Sequence, residues 1–439
     1  MATINLKKGF DLNLKGKITD TAITDAAKVA ECVVVPDDFT GIIPRLEKKE
    51  GEKVLAGEAL YHDKSYESVK VTAPVSGTVK EIRRGDRRKI EAIVIESDGK
   101  CEQAKIGTDN VLEALCESGL LACVRQLPYD VVPDPAVRPR DIFVTCFNSA
   151  PLAASAKVLL DGSEKYLAKG VEALASLTDG KVYLSCREDF VVEAPKGETV
   201  VFAGPHPAGL AAVQANNIKP VNKGEVVWML DVVTLARIGR LFTEGTVDFS
   251  TVVAVTGECV KEPKLLRTVM GAPIASFIDG NVDTNADIRV ISGNALSGIA
   301  VGAEGVLRAP YNQITVIPDG GKTDEFMGWA SLSPKKFSVY RTFTSWLCGG
   351  KAISVDARLN GGERGIVNAG EYDRMVPMDI YCEFLLKAII AFDIEKMEQL
   401  GIYEVTPEVF ALAEYADTSK LELQRIVRTG LDRLRAEMS

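Results

Sequence analysis

Residues 50–60 read Glu50-Gly51-Glu52-Lys53-Val54-Leu55-Ala56-Gly57-Glu58-Ala59-Leu60, and after a polar stretch residues 73–79 read Ala73-Pro74-Val75-Ser76-Gly77-Thr78-Val79. Short apolar runs punctuated by glycine specify brief strands joined by turns. The pattern continues on both sides. Cys32-Val33-Val34-Val35-Pro36 reads as a strand ended by proline, and Glu91-Ala92-Ile93-Val94-Ile95-Glu96 alternates as a half-buried strand does. Residues 31–100 are therefore expected to form an all-β hairpin module.

These stretches resemble the hairpin core of biotinyl and lipoyl carrier domains, which are barrel-sandwich hybrids. In such carriers the modified lysine sits on the tight turn between two short strands. Here Lys64 precedes Gly77 by two residues more than that pattern allows, and Ser65-Tyr66-Glu67-Ser68 takes the turn. The resemblance implies a barrel-sandwich scaffold kept for structure or docking. A carrier-linked enzyme is the rival reading, and it requires a modified Lys64.

The chain has 439 residues, enough for three or four cores. With 46% apolar and 26% charged residues it is a globular sequence, which excludes global disorder. A net charge of −9 opposes an extended nucleic-acid surface, whose affinity comes from clustered Lys and Arg. One basic run remains, Lys80, Arg83, Arg84, Arg87, Arg88 and Lys89, read as a solvated hairpin loop with a partner dock as the sharper alternative. Nine cysteines without any C-x-x-C pair exclude the usual iron–sulfur and zinc-ribbon runs and point to reduced thiols in a cytosolic chain. With only His62 and His206, a histidine-rich metal site is excluded as well, so no metal ligands are assigned. No apolar run approaches the ~20 residues that cross a bilayer, so any membrane relationship goes through a partner.

Along the chain, residues 1–30 are expected to lie against a later domain. Residues 101–248 read as a Rossmann-like α/β domain: a leading helix within 109–127, a Pro-rich linker (Pro128, Pro133, Pro135, Pro139), strands at 141–146, 182–185 and 199–203, and helices at 164–177 and 210–216. No G-x-G-x-x-G opens any of these helices, and Gly321-Lys322-Thr323 lacks the first P-loop glycine, so no cofactor-binding residues are assigned. Residues 249–330 read as a β-grasp-like module with strands at 251–255, 274–278, 288–291 and 314–317 and a helix near 263–270. Residues 331–439 read as a helical domain, with helices at 378–392 and 419–437.

The most unusual loop is Gly204-Pro205-His206-Pro207-Ala208-Gly209. It follows an apolar strand, where open α/β sheets bind ligands, and Gly204, Pro205, His206, Pro207 and Gly209 are the ligand-site candidates. A rigid strand-to-helix connection with His206 packed inside is the competing reading, since no acid or nucleophile adjoins the histidine in sequence. Nothing else forms a catalytic set, and catalytic residues stay unassigned. Glu258 and Glu262 read as surface or capping carboxylates. Trp228, Trp329 and Trp346 read as core residues, with an aromatic pocket for a quinoid ring as the alternative. Arg425, Arg428, Arg433 and Arg435 read as a solvated helical face, with a partner contact as the alternative.

The order of modules resembles the NqrA component of the bacterial Na+-translocating NADH:quinone oxidoreductases, the Nqr complexes, over essentially the whole chain. The words that carry it are Ala73–Val79, Gly204–Leu210, Gly239-Arg240-Leu241-Phe242, Lys264-Leu265-Leu266-Arg267-Thr268 and Arg374-Met375-Val376-Pro377-Met378-Asp379. The resemblance implies a peripheral subunit on the cytoplasmic face of the inner membrane. Its partners would be membrane-embedded and flavin-carrying Nqr subunits and quinone. NAD, flavins, an iron–sulfur centre and quinone would act in the assembled complex, with no cofactor held tightly by this chain. A scaffold subunit without ligand chemistry is the alternative, and a flavin- or NADH-dependent dehydrogenase a more distant one. In one respect the chain departs from the family, which tends to carry two cysteines where this sequence has Ala413 and Asp417.

Overall fold

The structure is a computed structural model that describes residues 2–321, 336–348, 352–367 and 370–438. Trp329 and the Lys322-Thr323 pair lie outside the described residues. The hairpin module is built from a four-stranded and a three-stranded sheet. Gly77–Arg84 and Ile90–Ser97 pair antiparallel at its centre, with Glu31–Val34 and Lys53–Val54 at the edges. Ala59–Asp63 turns back onto Lys70–Thr72, leaving Lys64 exposed at the start of the Ser65–Ser68 tip. Gly77 is needed because a Cβ there would collide with the carbonyl oxygen of Glu96.

A six-stranded sheet forms the α/β layer, in the order Ala2–Asn5, Gly197–Ala203, Val182–Cys186, Asp141–Thr145, Val227–Asp231, Arg125–Leu127. All pairs are parallel except the last. Strands buried on both faces read as continuous apolar runs, which is why these segments stand out in the sequence. Alternate residues part cleanly. Ile142, Val144, Leu184 and Trp228 face a core shared with the hairpin module, and Phe143, Tyr183, Phe202 and Met229 face one shared with the C-terminal helices. The N-terminal segment joins two sheets, since Ala2–Asn5 extends this one and Ile23–Asp25 extends the third.

The third sheet runs Ile299–Ala300, Ile288–Ser292, Gln313–Pro318, Ser250–Thr256, Lys264–Val269, Ile23–Asp25. Two expectations fail here. Lys264–Val269 is a strand, not a helix, held by an antiparallel ladder to Ser250–Val255. Conversely Ala275–Ile278 is a helical turn, not a strand, because Ile274 and Phe277 must both reach the core of this module. The leading helix is also shorter than expected: it spans Val111–Glu117, capped by Asn110, and Gly119 ends the helical path in a left-handed conformation.

The C-terminal helices Cys382–Ala391 and Leu423–Met438 pack on the α/β sheet. Trp228 is a core residue, whereas Trp346 is 53% exposed and stacks under Arg341. Arg425 and Arg433 lie on an exposed helical face, whereas Arg428 is turned inward. Arg428 donates to the carbonyls of Tyr129 and Asp130, and Arg433 lies 3.6 Å over the ring of Phe392. Ala413 is core, and Asp417 accepts the hydroxyl of Tyr372 and the backbone N–H groups of Ser419 and Leu421, so both positions are structural in this chain.

The helices Leu167–Ala175 and Val232–Glu244 cross through Gly170 and Gly239. A Cβ on Gly239 would collide with the Tyr166 carbonyl. Gly239→Ala is expected to destabilise the α/β layer by about 1–3 kcal/mol, the usual cost of overpacking. The check is the urea midpoint followed by circular dichroism; an unchanged midpoint would contradict this crossing.

Candidate functional site

The strand Gly197–Ala203 ends at Gly204, and the helix Ala211–Ile218 begins after Leu210. Between them the chain's own N-terminal segment covers the loop. The His206 N–H donates to Asp11 (2.8 Å), the His206 carbonyl accepts from Phe10, and the Gly204 carbonyl accepts from Arg187. Both glycines are dictated by close approach: a Cβ on Gly204 would sit 2.5 Å from the Leu6 carbonyl oxygen, and one on Gly209 2.6 Å from the Ser149 nitrogen. Ser149 completes the joint. Its Oγ accepts from the Gly209 N–H (2.8 Å) and lies within hydrogen-bond reach of His206 Nδ1, at 3.0 Å. His206 is 2% exposed, and burial pushes it down to about 4, with Asp11 and Ser149 pulling the other way. It is a neutral, packed imidazole.

Strand order in the α/β layer reverses between Asp141–Thr145 and Val227–Asp231, the place where such sheets hold dinucleotides. Here the first strand is followed by Cys146-Phe147-Asn148-Ser149-Ala150-Pro151, with no glycine to admit a pyrophosphate. The helix starts beside the reversal, at Ala154, Val158, Leu159 and Val233, pack against Val252, Ala254 and Leu265 of the third sheet. A neighbouring module thus occupies the ligand edge. Cys146 and Cys186, at the ends of adjacent strands, are both buried and act on each other: Cys146 is pushed up and Cys186 down, where the Val192 N–H donated to its sulfur also favours the thiolate.

Two open clefts lie elsewhere, and neither is lined by the Gly204–Gly209 loop. One, of about 330 Å³, separates the helix Val232–Glu244 from the third sheet and is polar. Arg267 is engaged by Asp161 and Asp25 and Arg240 by Asp248 and Glu244, whereas Arg237 donates to the Ser250 carbonyl and keeps a buried Nε without a hydrogen-bond partner. The second, of about 320 Å³, lies where the hairpin tip, the Pro-rich stretch and the C-terminal helix meet. Its lining is mostly polar as well: Asp63, Asp134, Gln126 and Arg435 share it with the rings of Tyr66 and Tyr129, and Ile42, Val69, Val131, Val132 and Met438 supply the apolar part. Tyr66 donates to Asp134 (2.5 Å), which fixes its ring and pushes its phenol up. Tyr129 and Asp130 hold left-handed φ of +80° and +52°, locked by the two bonds from Arg428. Sequence reasoning missed this cleft because Pro128–Pro139 reads as a linker. It is instead a wedge with Val131 and Val132 buried, and the apolar pair between prolines was the available signal.

The folds together define a class: a multi-module protein that joins a barrel-sandwich hybrid to a dinucleotide-type sheet and an SLBB sheet. Sequence profiles agree, matching the NqrA N-terminal barrel-sandwich hybrid domain at residues 4–98, the NqrA second alpha/beta domain at 106–247 and the NQRA C-terminal domain at 252–302. The chain belongs to the NqrA family. Proteins named as A subunits of the Na(+)-translocating NADH-quinone reductase are 35% identical to it in Hahella chejuensis and 34% in Neisseria gonorrhoeae, each over 99% of this chain and all of the relative. That of Rhodopirellula baltica is 33% identical over 98% of both.

The buried imidazole yields a pH signature. Between its ordinary 6.5 and about 4 the unfolded chain takes up a proton that folded His206 refuses, so stability falls through that window and is unaffected above it. The shift is worth roughly 3 kcal/mol. His206→Gln should flatten this part of the melting temperature against pH, measured as the difference from the parent chain; equal slopes would mean the imidazole is not held neutral.

Proposed function

We propose that this chain is the peripheral NqrA component of a Na+-translocating NADH:quinone oxidoreductase and gives that complex part of its quinone-binding surface. NADH oxidation, the flavins and the iron–sulfur centre fall to other subunits, both membrane-embedded and flavin-carrying, and the chain sits on the cytoplasmic face. Full-length similarity to the A subunits of such reductases supports the assignment. Among the described residues no helix is long and apolar enough to cross a membrane, which fits attachment through partners. The glycine-free crossover and the packed strand reversal argue against a dinucleotide on this chain.

The observation that carries the quinone reading is the second cleft. The rings of Tyr66 and Tyr129 beside Ile42 and Met438 suit a planar ring, and the Gln126 amide N–H suits one of its carbonyl oxygens. The Gly204–Gly209 loop is the second candidate, but its polar groups are engaged internally. In the assembled complex, Ile42→Trp should fill the cleft and raise the quinone KM about tenfold, equivalent to ~1.4 kcal/mol of binding, with kcat for NADH oxidation by an artificial acceptor unchanged. A KM moved by His206→Gln and not by Ile42→Trp would transfer the site to the loop. Full quinone reductase activity from the other subunits alone would leave the chain as a scaffold.

A further inference from the structure

The basic run of the hairpin module lies at the open end of its central strand pair. Gly77–Arg84 and Ile90–Ser97 have a third strand beside them only at Lys53–Val54, opposite residues 77–78, and at Glu31–Val34, opposite residues 93–96. Beyond those rungs, Arg83 to Ala92 pair only with each other, as a two-stranded ribbon. Its base stays on the body, where Ile90 is buried and Lys89 pairs with Asp37, and the turn from Arg84 to Arg88 carries the exposed side chains.

Within residues 83–92 five cations, Arg83, Arg84, Arg87, Arg88 and Lys89, face two carboxylates, Asp86 and Glu91. Arg83 pairs with Glu81 and Lys89 with Asp37. Arg84 donates to the Arg88 carbonyl, and Arg87 and Arg88 are exposed at successive left-handed positions, φ +52° and +63°. The tip thus presents three guanidinium groups to solvent on a chain of net charge −9.

We infer that this ribbon tip, through Arg84, Arg87 and Arg88, is a contact for the anionic headgroups of a lipid bilayer. The inference rests on the reading of the chain as the peripheral part of a membrane complex. The chemistry selects among polyanions. Base stacking needs aromatic side chains, and the ribbon has none. The ribbon aliphatics, Ile90 and Ala92, are buried, so a contact at the tip is made through charge. Guanidinium groups alone suffice for headgroup phosphates.

The test is sedimentation of the full chain with quinone-free vesicles, so that it fails or succeeds independently of the quinone cleft. Vesicles with about 30% phosphatidylglycerol should bind the chain at about 50 mM salt, and phosphatidylcholine alone should not. Each basic side chain strengthens adsorption about fivefold, so Arg84→Gln, Arg87→Gln and Arg88→Gln together should weaken it roughly a hundredfold. The triple lysine variant should retain binding, and matched melting curves control for folding. Binding equal in the glutamine variant, or displaced by soluble glycerol phosphate at constant ionic strength, would overturn the inference. So would absent vesicle binding with a glutamine variant that loses its place in the assembled complex, which would make the tip a protein contact.

Discussion

One buried carboxylate joins three modules. Asp38, in the short helical turn after the first strand of the hairpin module, takes both Nε and Nη2 of Arg308 and the Ala309 N–H, all from the third module. Its own carbonyl accepts from Arg125 of the α/β layer. Burial pushes the Asp38 carboxyl up, and the guanidinium pulls it back. Such a pair adds little net stability compared with an apolar contact of the same shape, yet removing either partner leaves an uncompensated charge and costs about 3–5 kcal/mol. Its effect is therefore to fix relative position. Residues 270 apart in sequence can meet here in only one arrangement of the modules.

From that arrangement follows the loss of the ordinary ligand edge. A doubly wound sheet leaves a crevice at its strand reversal only when nothing packs there. Here Val252, Ala254 and Leu265 close it, and the N-terminal segment closes the neighbouring strand end over His206. Apolar surface that would line a nucleotide pocket has become inter-module core. The two clefts lie between modules, and this explains why the one beside Tyr66 and Tyr129 draws its residues from four separate stretches of chain.

This also sets what could be read in the sequence. Strands such as Val182–Cys186 and Ser250–Thr256 were legible because both faces are buried and the apolar run is unbroken. Lys264–Val269 was not, since Lys264 and Arg267 break the run and Arg267 reaches out to Asp25 and Asp161. Its strand identity comes from the ladder to Ser250–Val255, a tertiary effect that outweighs local propensity. The histidine loop was visible as a rigid connection, but its partner Ser149, 57 residues earlier, was not. No local signal pointed to Tyr129, whose left-handed backbone is imposed by Arg428, 299 residues away.

The sequence words that carry the family resemblance have one physical property in common. Gly77 lets two strands of the hairpin module meet, and Gly204 and Gly209 let the N-terminal segment and Ser149 approach the sheet. Gly239 permits a helix crossing, and Arg267 ties the third sheet to Asp161 of the α/β layer. The carbonyls of Arg374 and Pro377 accept from Gly9 and Asn217, fastening the C-terminal helices to the N-terminal segment and the α/β layer. Each is a joint between segments distant in the chain. None places a nucleophile, an acid–base pair or a phosphate cradle. A protein whose characteristic residues are joints is one whose geometry is its product, and its open surfaces are those the joints hold apart.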